Sequence, residues 1–109
     1  MITAPVPDLV LVVTTWPADR DPATLARPLV EEGLAACVNA LPPMTSTYRW
    51  NGATQVDQEH QLIIKTTRAR LAALHARLVA VHPYEVPEFL VIDVAAASTS
   101  YLAWVRAGA

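Results

Sequence analysis

The side chains able to do chemistry are few, and most lie in one stretch. His82-Pro83-Tyr84-Glu85-Val86-Pro87-Glu88 gathers an imidazole, a phenol and two carboxylates. Imidazole with carboxylate suits copper, zinc or nickel, and two prolines would hold such ligands in place. The plainer alternative is a stiff loop in which Pro83 ends a helix, Pro87 leads into a strand, and the carboxylates are solvated. Cys37 is the only thiol. It reads either as a soft metal ligand or nucleophile, or as a small hydrophobe packed between Ala36 and Val38. Lys65 is the only lysine and follows Ile63-Ile64. It would pair with Glu88, meet an anionic ligand, or extend its stem to solvent. His60 adjoins Glu59, but neighbours on a strand point to opposite faces and chelate poorly. His75 falls within a Leu71, Leu74, Leu78 stripe and reads as a core cover.

Enzyme signatures are missing. There is no Gly-rich phosphate loop, no H-E-x-x-H, no C-x-x-C and no G-x-S-x-G, and three glycines leave little backbone to cradle a phosphate. The expectation is a non-enzymatic protein. The formal net charge of −2, without a Lys/Arg run, argues against nucleic acid or an anionic membrane as partner. No apolar run approaches the roughly 20 residues that span a bilayer. Residues 1–7 lack the basic and apolar segments of a signal peptide and read as a loose lead-in. One cysteine suits a reducing compartment, hence the cytoplasm. A 53% apolar composition is high for 109 residues. It suits one domain over residues 1–109 that hides apolar area against other copies.

The elements that must position these groups centre on a hairpin. Asn51-Gly52 is the strongest short signal for a type I′ turn, because both residues tolerate positive φ. A two-residue turn places Trp50 opposite Ala53, Tyr48 opposite Gln55 and Ser46 opposite Asp57. Arms of about a dozen residues would reach roughly 40 Å, farther than a small domain covers with its own core. Such a ribbon is marginal alone in water. Tyr48 and Trp50 near its tip read as anchors for another copy of the chain.

Around the ribbon, Asp8–Thr15 reads as a buried strand. Asp21 and Pro22 open a helix carrying Leu25, Leu29 and Val30, disturbed by Pro28 and ended by Gly33. Leu34–Leu41 is a second strand, with Pro42-Pro43 marking an edge or bulge. The return arm ends in Leu62–Lys65, and Thr66 or Thr67 caps a second helix whose stripe is Leu71, Leu74, Leu78 and Val81. Phe89–Val94 is a fourth strand, and Ser98 or Thr99 starts a short last helix. The order β-α-β-β-α-β, with right-handed crossovers, puts two helices on one face of a four-stranded antiparallel sheet. This is an α+β, ferredoxin-like βαββαβ sandwich with a long central hairpin and a C-terminal helix.

In that order the chain resembles the divalent-cation tolerance protein CutA family. The resemblance rests on Leu34-Ala35-Ala36-Cys37-Val38-Asn39, Tyr48-Arg49-Trp50, Leu62-Ile63-Ile64-Lys65-Thr66, His82 through Glu88, and Tyr101-Leu102-Ala103-Trp104. It implies a homotrimer of PII-like assembly with interlocked ribbons. It also implies weak binding of divalent metal, copper above all, in the response to metal ions. Carried over residue by residue, it implies His82, Glu88 and Cys37 as metal ligands and Lys65, Tyr84 and Glu85 as lining of a cleft between subunits. A trimeric regulatory module taking a small anionic ligand at that cleft is the alternative. The chain departs from the family in Trp-Asn-Gly for Trp-Glu-Gly, and in Thr14 and Val81 where some members carry a cysteine and a second histidine.

Overall fold

A computed structural model describes residues 1–109. Strand β1 (Leu9–Pro17) is followed by helix α1 (Ala23–Glu31) and by strands β2 (Cys37–Ala40), β3 (Met44–Trp50) and β4 (Ala53–Thr67). A 3₁₀ turn (Arg68–Arg70) leads into helix α2 (Leu71–Val81), then strand β5 (Leu90–Asp93) and helix α3 (Thr99–Gly108). The antiparallel sheet runs β2-β4-β1-β5, and β3 continues the ribbon by pairing with β4.

The hairpin register is the one the turn dictates. Asn51 and Gly52 have φ of 50° and 78°, and Trp50 faces Ala53, Tyr48 faces Gln55 and Ser46 faces Asp57. The first arm, however, is two strands and not one, so the sheet has five strands where four were expected. Ala40 opposes Leu62 while Met44 opposes Glu59. Three residues, Leu41 to Pro43, therefore span the gap that His60 and Gln61 span on β4. The extra residue is a bulge, forced because Pro42 and Pro43 have no N–H for the ladder. Leu41 keeps the arm attached, donating its N–H to the Gln61 carbonyl at 2.9 Å. The fold is elongated, 47 × 25 × 24 Å.

Alternation divides the sheet. Val12, Ile64 and Leu62 face α1 and α2, where Leu25, Leu29, Leu74 and Leu78 join them with Trp16 in the main core. The opposite face carries Leu11, Val13, Ile63 and, on β5, Leu90 and Ile92. Only one end of it is covered, by Leu102 and Val105 of α3 packed on Leu9. Leu90 and Ile92 are about half exposed in the single chain.

Some boundaries differ from the sequence reading for local reasons. Thr66 caps no helix; it is buried and its hydroxyl donates to the Leu34 carbonyl at 2.8 Å. Thr67 makes no cap bond either, and the 3₁₀ turn opens α2 instead. Ser98 does cap α3, accepting from the Tyr101 N–H at 3.2 Å. Residues 1–7 are tied down where a loose lead-in was expected. The Thr3 N–H donates to the Ala97 carbonyl at 2.8 Å, and the Thr99 N–H donates to the Met1 carbonyl at 2.9 Å.

Gly33 ends α1 in the left-handed region, φ 70°. Its N–H meets the Val30 carbonyl and the Leu34 N–H meets the Leu29 carbonyl, the Schellman pattern. A Cβ there would meet nothing within 4 Å. Gly33→Ala is therefore expected to cost only the backbone term, about 1–2 kcal/mol, read by chemical denaturation.

Candidate functional site

The loop 82–88 leaves the end of α2 and runs beside the last residues of β1. Here β5 no longer pairs, since its register stops at Val13 opposite Leu90. The loop takes the place of the missing strand. The Thr14 hydroxyl donates to the Glu88 carbonyl at 2.6 Å.

His82 is fastened at both ring nitrogens. Nε2 lies 2.7 Å from the Thr15 carbonyl, and Nδ1 accepts the Tyr84 N–H at 3.1 Å. A carbonyl cannot donate and an N–H cannot accept, so the ring is the Nε2–H tautomer. It packs between Trp16 and Tyr84, with ring centres 5.2 Å and 4.7 Å away. Burial holds its pKa below the ordinary imidazole value, against the opposing pull of the Thr15 carbonyl and Glu59. The sequence suggested an exposed metal ligand. The structure corrects the exposure: His82 is 8% exposed, and in this arrangement both ring nitrogens are engaged, so binding an ion would require the ring to leave these bonds.

Tyr84 reaches across the sheet end, and its hydroxyl donates to Glu59 Oε2 at 2.8 Å. Its pKa is strongly raised, first by burial and then by that carboxylate. Gln61 Nε2 donates to the Thr14 carbonyl at 2.7 Å and to Glu88 Oε2 at 3.2 Å. These residues, with Glu85, form one wall of a cleft of about 570 Å³; the ribbon supplies the other through Met44, Ser46, Tyr48 and Trp50. The ribbon residues are alternate positions of β3, so period 2 aims all of them inward. The Tyr48 hydroxyl is anchored on Asp57 across the ribbon.

The sequence-derived sites are thus partly joined. Tyr84, Glu85 and Glu88 meet in the cleft with Tyr48 and Trp50. Lys65 and Cys37 do not line it. They oppose each other across β2 and β4, both half buried. Six residues of strand, roughly 20 Å, separate Lys65 from Glu59. Lys65 makes no pair with Glu88; its Nζ sits 5.8 Å over the Tyr101 ring. His82, Glu88 and Cys37 therefore do not form a ligand set in one chain, and no other group of three metal-binding side chains does so. His60 bonds the Leu41 carbonyl at 2.8 Å, and His75 packs on Phe89, as a core cover would. Glu59 and Gln61 were not foreseen as site residues. The turn register could have found Glu59: with Trp50 opposite Ala53, Met44 falls opposite Glu59 on the face of Tyr48 and Trp50.

Comparison with known proteins agrees with this architecture. Residues 10–108 match the family model described as CutA1 divalent ion tolerance protein. The chain is 45% identical over 96 residues to the divalent-cation tolerance protein CutA of Thermus thermophilus, covering 88% of this chain and 93% of that one. CutA from Synechococcus elongatus superposes with a TM-score of 0.91 at 40% identity, over 99% of this chain and 95% of that one. A protein of Archaeoglobus fulgidus, described as the periplasmic divalent cation tolerance protein CutA, gives 0.87 at 27% identity over 92% and 97%. From the loop beside β1 to the ribbon register, this chain belongs to the CutA1 divalent ion tolerance family.

Proposed function

We infer that this protein acts in tolerance to divalent metal ions as a homotrimer of ferredoxin-like subunits, without catalysing a reaction. Family membership supports the role in metal tolerance. Two observations carry the assembly: the open sheet face, where Leu90 and Ile92 stand about half exposed on the β5 edge, and the unsupported ribbon beyond the other end of the sheet. Monomers rarely leave so much contiguous apolar area in water. The β2-β4-β1-β5 order supports the ferredoxin-like reading. Cys37 without a disulfide partner fits a cytoplasmic location.

Divalent metal, with copper as the first probe, is bound weakly in this reading. Glu85 and Glu88 offer oxygen ligands, but nothing in one chain closes a coordination sphere around an ion. The alternative is a small anionic ligand held by Lys65 at a cleft between subunits; within one chain the 570 Å³ cleft carries three carboxylates and no basic side chain, so such a ligand would have to sit elsewhere, near Lys65.

Light scattering tests the assembly: the expected mass is three times the 11.8 kDa subunit. A well-folded monomer at micromolar concentration would overturn it. Copper titration by calorimetry is expected to show weak, saturable binding. Heat no larger than that of the same titration into buffer alone would remove the metal from the proposal.

A further inference from the structure

Asn51 and Gly52 form the tip of the ribbon, beyond its last cross-strand pair, Trp50 with Ala53. Both are exposed. The side-chain bonds of the ribbon join Tyr48 to Asp57 and Gln58 to Thr45, and leave the Asn51 carboxamide unbonded. The Gly52 N–H donates to no carbonyl of the chain. Around Gly52 there is open space, since a Cβ there would meet nothing within 4 Å. These are the conditions for a ring closure between the two residues. A free backbone nitrogen can attack the carboxamide carbon of the asparagine before it, and the ring that forms has five members, a size that brings the reacting atoms together readily. A side chain on the attacking residue hinders the approach, and glycine has none. Closure also requires rotation about the Asn51 ψ, out of the turn conformation. At a hairpin tip only the Trp50–Ala53 pair resists this, and such ends open locally at little cost.

We propose that Asn51 is a site of spontaneous deamidation, which converts the ribbon turn to aspartate and isoaspartate as the protein ages. The Gly52 nitrogen gives its proton to solvent base and bonds to Asn51 Cγ. The Cγ–Nδ2 bond breaks, and that nitrogen takes a proton from water and leaves as ammonia. Water then adds to one of the two carbonyls of the succinimide ring and opens it. Opening between Cγ and the Gly52 nitrogen gives aspartate. Opening between the Asn51 carbonyl carbon and that nitrogen leaves the chain running through the side chain, as isoaspartate. In sum one water is consumed and one ammonia released, with no oxidant or cofactor. The products differ in consequence. Asp-Gly suits a type I′ turn as Asn-Gly does, so aspartate keeps the register and adds a charge. Isoaspartate inserts an extra backbone atom into a two-residue turn whose length sets the register. Tyr48 and Trp50 take their direction from that register, so isoaspartate is the product that disturbs their wall of the cleft.

The proposal is independent of the metal and assembly readings, because it uses only two adjacent residues and water. The chain supplies its own control. Its other asparagine, Asn39, precedes Ala40 and lies in β2 opposite Ile63, with a Cβ on the next residue and a ladder to hold it. The full protein in its native assembly is kept warm at mildly alkaline pH, and samples are taken over several weeks. Ion exchange is expected to resolve a growing species one unit more negative than the formal net charge of −2. After digestion with trypsin, the change is expected in the peptide from Trp50 to Lys65, which holds no other asparagine. Mass spectrometry with electron-transfer fragmentation is expected to find both aspartate and isoaspartate there. Asn51 is expected to react at least about tenfold faster than Asn39. Asn51→Gln, whose closure needs a six-membered ring, is expected to lose the acidic species over the same period. No acidic species, a change mapped to Asn39 or to a glutamine, aspartate without isoaspartate, or an undiminished rate in Asn51→Gln would each overturn the proposal.

Discussion

Copper is expected to bind the His82→Ala protein as well as it binds the unmodified one, while the variant melts several degrees lower. The ring is not a ligand in waiting. Both nitrogens are spent, on the Thr15 carbonyl and the Tyr84 N–H, and the ring fills the space between Trp16 and Tyr84. Removing it leaves a buried carbonyl and a buried N–H without partners and opens a cavity. Such losses together cost about 2–4 kcal/mol. Thermal or chemical denaturation reads the stability and calorimetry reads the metal. If the variant folds as stably as before but loses copper, the ring must swing out to bind the ion, and its structural role is refuted.

The same residue sets an acid dependence. Burial lowers its pKa below the ordinary value of 6.5. Above that pH the ring is neutral whether the chain is folded or not, and contributes no slope. Below it the unfolded chain takes up a proton that the folded chain resists, so stability falls as pH drops toward the folded value. Protonation at Nδ1 also removes the acceptor for the Tyr84 N–H, and with it the link that holds Tyr84 toward Glu59. Melting curves between about pH 7 and 5 are expected to shift downward in the unmodified protein, and by less in His82→Ala. Parallel shifts in both proteins would assign the acid sensitivity to other groups.

Ile92→Lys is expected to take the assembly apart. Ile92 lies opposite Leu11 on the open sheet face and is about half exposed in one chain. A lysine there has room in the monomer, so subunit folding changes by no more than about 0.5 kcal/mol. Buried against another copy, the ammonium must be stripped of water without a partner, at a cost of several kcal/mol. In the proposed trimer, three-fold symmetry repeats that cost at every contact. Sedimentation is expected to show monomer at concentrations where the unmodified chain sediments as the proposed trimer. A variant that stays trimeric would move the interface away from this face.

The reach of the sequence differs between these cases, for a physical reason. Much of the local chemistry was legible, although neither Thr66 nor Thr67 caps α2. Asn51-Gly52 determines the turn, the turn determines that Trp50 meets Ala53, and strict alternation then carries the register as far as Met44 and Glu59. The left-handed Gly33 and the capping Ser98 were legible in the same way, since each depends on a few adjacent residues. The proline pair announced a bulge, but not that it would divide one arm into two strands.

Side-chain partnership was not legible. His82 looked like a metal ligand because nothing nearby in sequence occupies its nitrogens; one of its partners, Thr15, is 67 residues away. The resemblance groups Cys37 and Lys65 with Glu88 around a cleft between subunits; within one chain the sheet pairs the first two with each other at the far end of β4. By itself the sequence determined the order of strands and helices, the turn and the apolar surplus, all of which follow from spacing along one chain; it did not determine the division of one arm into β2 and β3. Only the tertiary structure decided which polar groups are spent on one another, as Tyr84 is on Glu59 and His82 on the Thr15 carbonyl. That choice depends on packing between segments that spacing does not bring together.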